Sequence, residues 1–377
     1  MDILTHFIKQ YGINIPTLMY GILVKNYIDN IRQNYPERLK NPNIETSISN
    51  ILPSPTIEKK YQGVDISQIT NLEYKALTTD FINVITQIMK PQNLTIFYNN
   101  INTVLINQGK NNIFNPFIVA EYDASKNIVL LGNNHYINSL FHELLHMAST
   151  IFQDGIIYSG LSEQNIGIGL NEGYTELLAK RYFDKSSNNG YIFETQIAKL
   201  LELIIGQEKM ESYYFNANLY GLIEELRKYN NFYSIDKFIA NLDSLALREI
   251  SPGFSDNFVT EASNSLKFVI DFLCNTYVSK LKKEYNIDLE QVKQVISSKH
   301  YDQTTDQELC RKYIDFINEI QNFVYQMPRF HIFKGNHYTI TINSNYINPY
   351  TLLPIIDINI EHEYTIEQIY QLKKYRF

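Results

Sequence analysis

The sequence predicts an α+β chain, on two features of its apolar pattern and one of its composition. Apolar residues recur every three or four positions over 192–205, 219–226 and 264–285, the mark of amphipathic helices. Alternation instead marks 338–342 and continues over 355–360, as in half-buried strands, and short apolar runs at 117–122 and 128–131 also read as strands. With 44% hydrophobic and only 19% charged residues in 377, the chain can bury a substantial core around both kinds of element.

Taken in order, residues 1–65 contain a helical pattern near 17–33 and then a loop-like stretch with Pro36, Pro42, Pro53 and Pro55. A helical pattern returns over 66–90. Pro91-Gln92-Asn93 breaks it ahead of a strand-like run at 94–98. The apolar runs at 117–122 and 128–131, joined by Asp123-Ala124-Ser125-Lys126-Asn127, read as a β-hairpin. From 137 to 152 no Gly or Pro intervenes, and Leu140, Phe141, Leu144, Leu145, Ala148 and Phe152 give a wide apolar helix face. A second helix is expected over 170–182, between Gly167 and Gly169 on one side and Asp184, Ser186 and Gly190 on the other. After the three helical stretches named above, one more helix is expected over 306–327, and beyond Pro328 the pattern turns β-like. No internal repeat is evident.

The chemistry is concentrated in Phe141-His142-Glu143-Leu144-Leu145-His146-Met147. His142 and His146 stand at i and i+4, so a helix projects both imidazoles from one face toward a single Zn²⁺. Glu143 is placed to reach a water on that ion and act as general base. A catalytic zinc takes three protein ligands and keeps a fourth position open, so one more ligand is needed. The best candidate is Glu172, in Gly169-Leu170-Asn171-Glu172-Gly173-Tyr174-Thr175-Glu176, where it falls in the first turn of the second helix.

An HExxH followed by a glutamate in an Asn-Glu-Gly context on a second helix resembles the gluzincin group of zinc metallopeptidases. The resemblance covers roughly residues 141–183. It implies that His142, His146 and Glu172 are the metal ligands and Glu143 the base. Glu176, four residues after Glu172, stands where thermolysin-like enzymes hold the first zinc histidine with an acidic residue, which implies that it orients His142. The implied architecture is a zincin-like catalytic domain at 66–250, a small mixed sheet with the active-site helix. A helical or linker segment at 1–65 precedes it, and a helical then β-like region at 251–377 follows. No Gly-x-Met-Glu-Asn exopeptidase motif lies upstream, so the implied activity is that of an endopeptidase on a peptide or protein. Ser149 and Phe152 stand where the metzincin branch has glycine and histidine. A hairpin just before the active-site helix also offers an edge strand that can hold an extended peptide. The alternative, from a different class, is a catalytically silent zinc-bearing domain that recognises a protein partner.

Other features exclude more than they assign. A net charge of −7 supplies no basic stripe for phosphates, so nucleic acid is not an expected partner. Cys274 and Cys310 form no Cys-x-x-Cys pair and read as buried thiols. The start of the chain has no basic-then-apolar leader, and the apolar run at 15–24 is too short to span a membrane; a cytoplasmic location is the default expectation. The Asn93-Leu94-Thr95 sequon carries no meaning without export. His135, His331, His337 and His362 fall outside the motif. Among the tyrosines close to it in sequence, Tyr174, Tyr182, Tyr191, Tyr213 and Tyr214, a phenol is available to stabilise an oxyanion, and Tyr191 is favoured because it follows Gly190 and precedes a helix.

Overall fold

The computed structural model describes residues 64–108, 120–132, 137–153, 156–163, 166–183, 191–250, 258–288, 290–291, 312–313, 315–316 and 319, and the strands at 330–333, 336–347 and 354–365. These residues form a mixed α+β structure that is mostly helical, with small three-stranded sheets. The chain divides into two compact units. Among the described residues, one runs through Lys199 and adds Ile205–Glu225, and the other takes Leu200–Ile204 and everything from Leu226.

The first unit opens with α1 (Leu72–Ile88), whose N-cap Asn71 accepts the backbone amides of Glu73 and Tyr74 through Oδ1 at 2.9 and 3.1 Å. Tyr74, Thr78, Phe81 and Ile85 recur along one stripe and are buried. The next helix, α2 (Pro91–Ile101), corrects the strand expected at 94–98. Pro91 occupies a first-turn position, where its missing N–H costs nothing and its fixed φ suits a helix, so it starts an element as well as ending one. The buried residues Asn93, Ile96, Phe97 and Ile101 follow helical spacing.

Strand β1 (Leu105–Gln108) was not anticipated; it pairs in parallel with β3 (Ile128–Leu131). Strand β2 (Ala120–Asp123) pairs antiparallel with β3 on its other side, in the register Ala120↔Leu131 and Tyr122↔Val129. The hairpin is therefore present in its described part, while 117–119 lie outside the described residues. Its order β1-β3-β2 leaves β2 at an edge of this sheet among the described residues.

Helix α3 (Ile137–Ala148) carries the HExxH motif and ends four residues before the expected 152. The chain passes through Ser149 straight into β4 (Thr150–Gln153), where Phe152 is 65% exposed and so was never part of the helix's buried face. Strands β4, β5 (Ile156–Ser159) and β6 (Ser162–Glu163) form an antiparallel meander in that order. Helix α4 (Ile168–Phe183) contains the second helix expected at 170–182. It is followed by α5 (Ile192–Ile205), α6 (Gln207–Phe215), which was not foreseen, and α7 (Leu219–Arg227).

In the second unit α8 (Phe232–Ile250), also unforeseen, packs on α9 (Phe258–Tyr285) with the Phe238 and Phe272 rings stacked 4.4 Å apart. The β-like tail forms β7 (Phe330–Phe333), β8 (Asn336–Ile347) and β9 (Pro354–Thr365), an antiparallel sheet in that order. Its register sets Tyr338 opposite His362, Ile340 opposite Ile360 and Ile342 opposite Ile358, so the expected alternation places these residues on one face. Of the helix expected over 306–327, positions 312–313, 315–316 and 319 are described and helical. The helix expected at 17–33, the proline-rich stretch after it, the apolar run at 15–24, His135 and Cys310 lie outside the described residues. Cys274 is buried and unpaired with any other cysteine among the described residues. No helix among them is long and apolar enough to cross a membrane.

Phe81 joins α1 to the motif helices. Its ring stacks on Phe183 of α4 at 5.2 Å and lies 6.5 Å from Phe141 of α3 and 6.2 Å from Phe97 of α2. Phe81→Ala is expected to lower the unfolding free energy by about 3–5 kcal/mol, because a fully buried ring leaves a cavity that its neighbours only partly fill. Guanidinium denaturation checks this, and a loss below about 1 kcal/mol would show that the cluster carries little of the core.

Candidate metal centre

The motif helix is buried on every side from Ser139 through Ala148. That is unusual for a helix bearing two histidines and a glutamate, since a buried ionisable group must find a partner. The partners come from α4. His142 Nε2 lies 3.0 Å and His146 Nε2 3.3 Å from Glu172 Oε2, and the two Nε2 atoms are 3.1 Å apart. The rings meet edge to face, at 71°. One donor atom from each residue thus points at a common centre, and His142, His146 and Glu172 form the sole such group among the described residues.

These separations test whether a metal fits. Tetrahedral zinc binds nitrogen and oxygen at about 2.0–2.1 Å, which puts neighbouring ligand atoms about 3.3 Å apart. The three contacts of 3.0–3.3 Å are close to that edge length. Two imidazoles and a carboxylate are also a donor set that zinc favours and that leaves a fourth position open. A single cation at the centre satisfies all three lone pairs, whereas a shared proton satisfies one contact at a time.

Each imidazole is held from behind. Glu176, wholly buried one turn after Glu172, sets Oε2 3.1 Å from His142 Nδ1, the contact that the gluzincin resemblance implied. Its other oxygen lies 3.7 Å from Lys180 Nζ. Asn171 faces His146 Nδ1 at 3.2 Å through its amide nitrogen, while its oxygen accepts the Leu161 backbone N–H at 3.0 Å. Asn171 was quoted in the motif without a role. The signal was its place beside Glu172, a residue capable of both donating and accepting. Glu172 itself falls in the second turn of α4 and not the first, because the helix begins at Ile168. It therefore owes its place to the histidines and not to the macrodipole of a helix start.

The electrostatics follow from burial and charge together. Burial opposes the charged form of His142, but hydrogen bonds with Glu172 and Glu176 outweigh it and raise the imidazole's pKa to about 10. Burial likewise works against an ionised Glu172, and electrostatic attraction and hydrogen bonds from the His146 and His142 imidazoles reverse it, holding that carboxyl well below the usual range. At Glu143 burial prevails and the carboxyl is pushed up, with both histidines and the backbone amide of Tyr122 acting the other way. Tyr122 belongs to β2, so the edge strand stands beside the candidate base; nothing in the sequence marked it. The field that favours a cationic His142 equally favours a divalent cation.

Of the tyrosines considered, Tyr191 stacks its ring against His142, parallel within 13° at 6.1 Å. Tyr214 is buried with its hydroxyl 2.7 Å from Thr175 Oγ1, and Tyr174 packs on its ring. Tyr182 donates to Glu211, and Tyr213 to Glu225 at 3.4 Å.

Removal of the carboxylate behind a metal histidine typically weakens binding 10- to 100-fold. Glu176→Ala is expected to show a loss of that size for zinc, measured by competition with a chromophoric chelator; unchanged affinity would make Glu176 a bystander.

The chain matches no protein-family model, no curated protein and no solved structure.

Proposed function

We propose that this protein is a zinc-dependent peptidase of gluzincin type, an endopeptidase with a zincin-like catalytic domain. The observation that carries the reading is the convergence of His142, His146 and Glu172 on one point, with Glu143 on the same helix and Glu176 behind His142. An ordinary buried helix needs no such constellation, and a purely structural metal site needs no general base beside it. The sequence of a small mixed sheet, the motif helix and a second ligand-bearing helix supports the zincin-like assignment.

Bound zinc supplies Lewis acidity, acidifying a water and polarising a scissile carbonyl. The chain's own residues do the rest. His142, His146 and Glu172 hold the ion, and Glu176 and Asn171 fix the two ring orientations. Glu143 takes a proton from the attacking water and returns it to the leaving amine, a task suited to a carboxyl whose proton affinity burial raises. Tyr191, whose ring lies against His142, is the proposed donor to the developing oxyanion. The substrate is an extended peptide laid along the edge strand β2, whose backbone stands beside Glu143.

Glu143→Gln is expected to keep about one zinc per chain and lose turnover, and His146→Ala to lose both. The assay is metal content by elemental analysis together with cleavage of a mixed peptide library read by mass spectrometry. Undiminished cleavage by Glu143→Gln would overturn the mechanism, and zinc binding without any cleavage would favour a silent zinc-bearing recognition domain. Tyr191→Phe is expected to lower kcat on the order of 10²-fold with little change in KM. A kcat within twofold of wild type would remove Tyr191 from the reaction.

A further inference from the structure

The motif helix ends one turn after Glu143 and reverses into β4 with only Ser149 between them. An α-helix leaves its last carbonyls without intrahelical partners, and a buried end must find them elsewhere. Here Leu145 O accepts the Ser149 backbone amide at 3.2 Å and His146 O the Thr150 hydroxyl at 2.7 Å. Met147 O is reached from a different helix. Asn100, in the last turn of α2, donates one amide proton to Met147 O and the other to Thr150 O, each at 2.8 Å. One side chain thus bridges the carbonyls on both sides of the turn that follows His146.

The same residue also holds the hairpin. Asn100 O accepts Asn127 Nδ2 at 2.7 Å, and Asn127 lies in the β2–β3 turn with φ +53°. Asn127 Oδ1 in turn accepts the Tyr122 hydroxyl at 2.9 Å. Tyr122 is the β2 residue whose backbone amide faces Glu143. Side-chain amides carry both donors and an acceptor, so a short run of them can link two backbones without a charge.

We propose that Asn100 is a positioning residue of the metal centre: it sets the end of the motif helix, and hence His146, against the edge strand that faces the base. The proposal rests on the peptidase reading and deepens it. Without the Asn100 amide, Met147 O and Thr150 O are left buried without their donor, and the turn behind His146 loosens toward water. Catalytic constellations tolerate displacements of only about half an ångström, so the effect falls on metal geometry before it falls on the fold.

The test uses the full chain with zinc and with cobalt(II), whose visible absorption reports ligand geometry. Asn100→Ala removes both donors and Asn100→Ser keeps one hydroxyl donor; Ile85→Val, in the core of α1, is a control for general loosening. Asn100→Ala is expected to bind zinc at least tenfold more weakly and to shift the cobalt spectrum. Asn100→Ser should fall between it and wild type, and Ile85→Val should keep the wild-type spectrum. Wild-type affinity and spectrum in folded Asn100→Ala would overturn the proposal, as would a matching shift in Ile85→Val. If neither Asn100 variant gives a native far-ultraviolet spectrum, Asn100 is a folding residue and the proposal also fails. A wild-type chain that binds neither metal sinks the peptidase reading instead, which keeps the two failures distinguishable.

Discussion

A buried ionisable group survives only if something pays its desolvation, and that constraint organises the first compact unit. His142, Glu143, His146 and Glu176 are all buried. An isolated charge in such a place costs several kcal/mol, so it either neutralises or acquires partners. The partners must be rigid, because an ion pair that opens to water regains its hydration and loses its geometry. Helices α3 and α4 meet that need by placing two i, i+4 pairs face to face, His142 and His146 opposite Glu172 and Glu176. The aromatic cluster of Phe81, Phe141 and Phe183 then packs the same two helices together with apolar surface that needs no partners of its own.

Close backbone approach makes the facing possible. A Cβ on Gly173, next to Glu172, would lie 2.2 Å from the Glu194 carbonyl, so α4 and α5 touch where any side chain would separate them. Gly160 does the same for the β5–β6 turn: its φ is +56°, and a Cβ there would overlap Asn171 Oδ1 at 2.1 Å. The turn's next amide, Leu161 N–H, is the one that holds Asn171. Glycine at these two positions therefore acts on the site at one remove, by letting α5 approach the helix that carries Glu172 and letting the turn approach Asn171.

Much of the site was legible because a helix converts spacing into direction. The helical period put His142 and His146 on one face of their helix and Glu172 and Glu176 on one face of theirs, and the gluzincin resemblance implied that the two faces meet. Their supports were not legible, for definite reasons. Asn100 and Tyr122 act through contacts between elements distant in sequence, and neither residue type announces a role. The segment at 94–98 read as a strand because a short β-branched and aromatic run fits either period; burial of Asn93, Phe97 and Ile101 on one face is what makes it helical. Strand β1 is only four residues long and depends on parallel pairing with β3, a long-range contact that leaves no local pattern. The end of α3 was overestimated because Ile151 and Phe152 continue an apolar run, whereas Ser149 and Thr150 turn back to cap the helix carbonyls.

Two carboxylates in one buried site offer the last step. Glu143 and Glu172 face the same histidines, yet the first is pushed up and the second down. The difference is contact. Glu172 touches both imidazoles directly, so their hydrogen bonds and electrostatic pull outweigh burial, whereas Glu143 feels them at longer range and burial prevails. Sites that divide acid–base work between like groups do so by pulling their proton affinities apart. In the proposed reaction the low member must stay ionised to remain a ligand, and the high member must be able to gain and lose a proton within one turnover. Within that proposal the contacts decide which member takes which role, because exchanging them would put the more readily protonated carboxyl on the metal and the committed anion where a proton has to be carried.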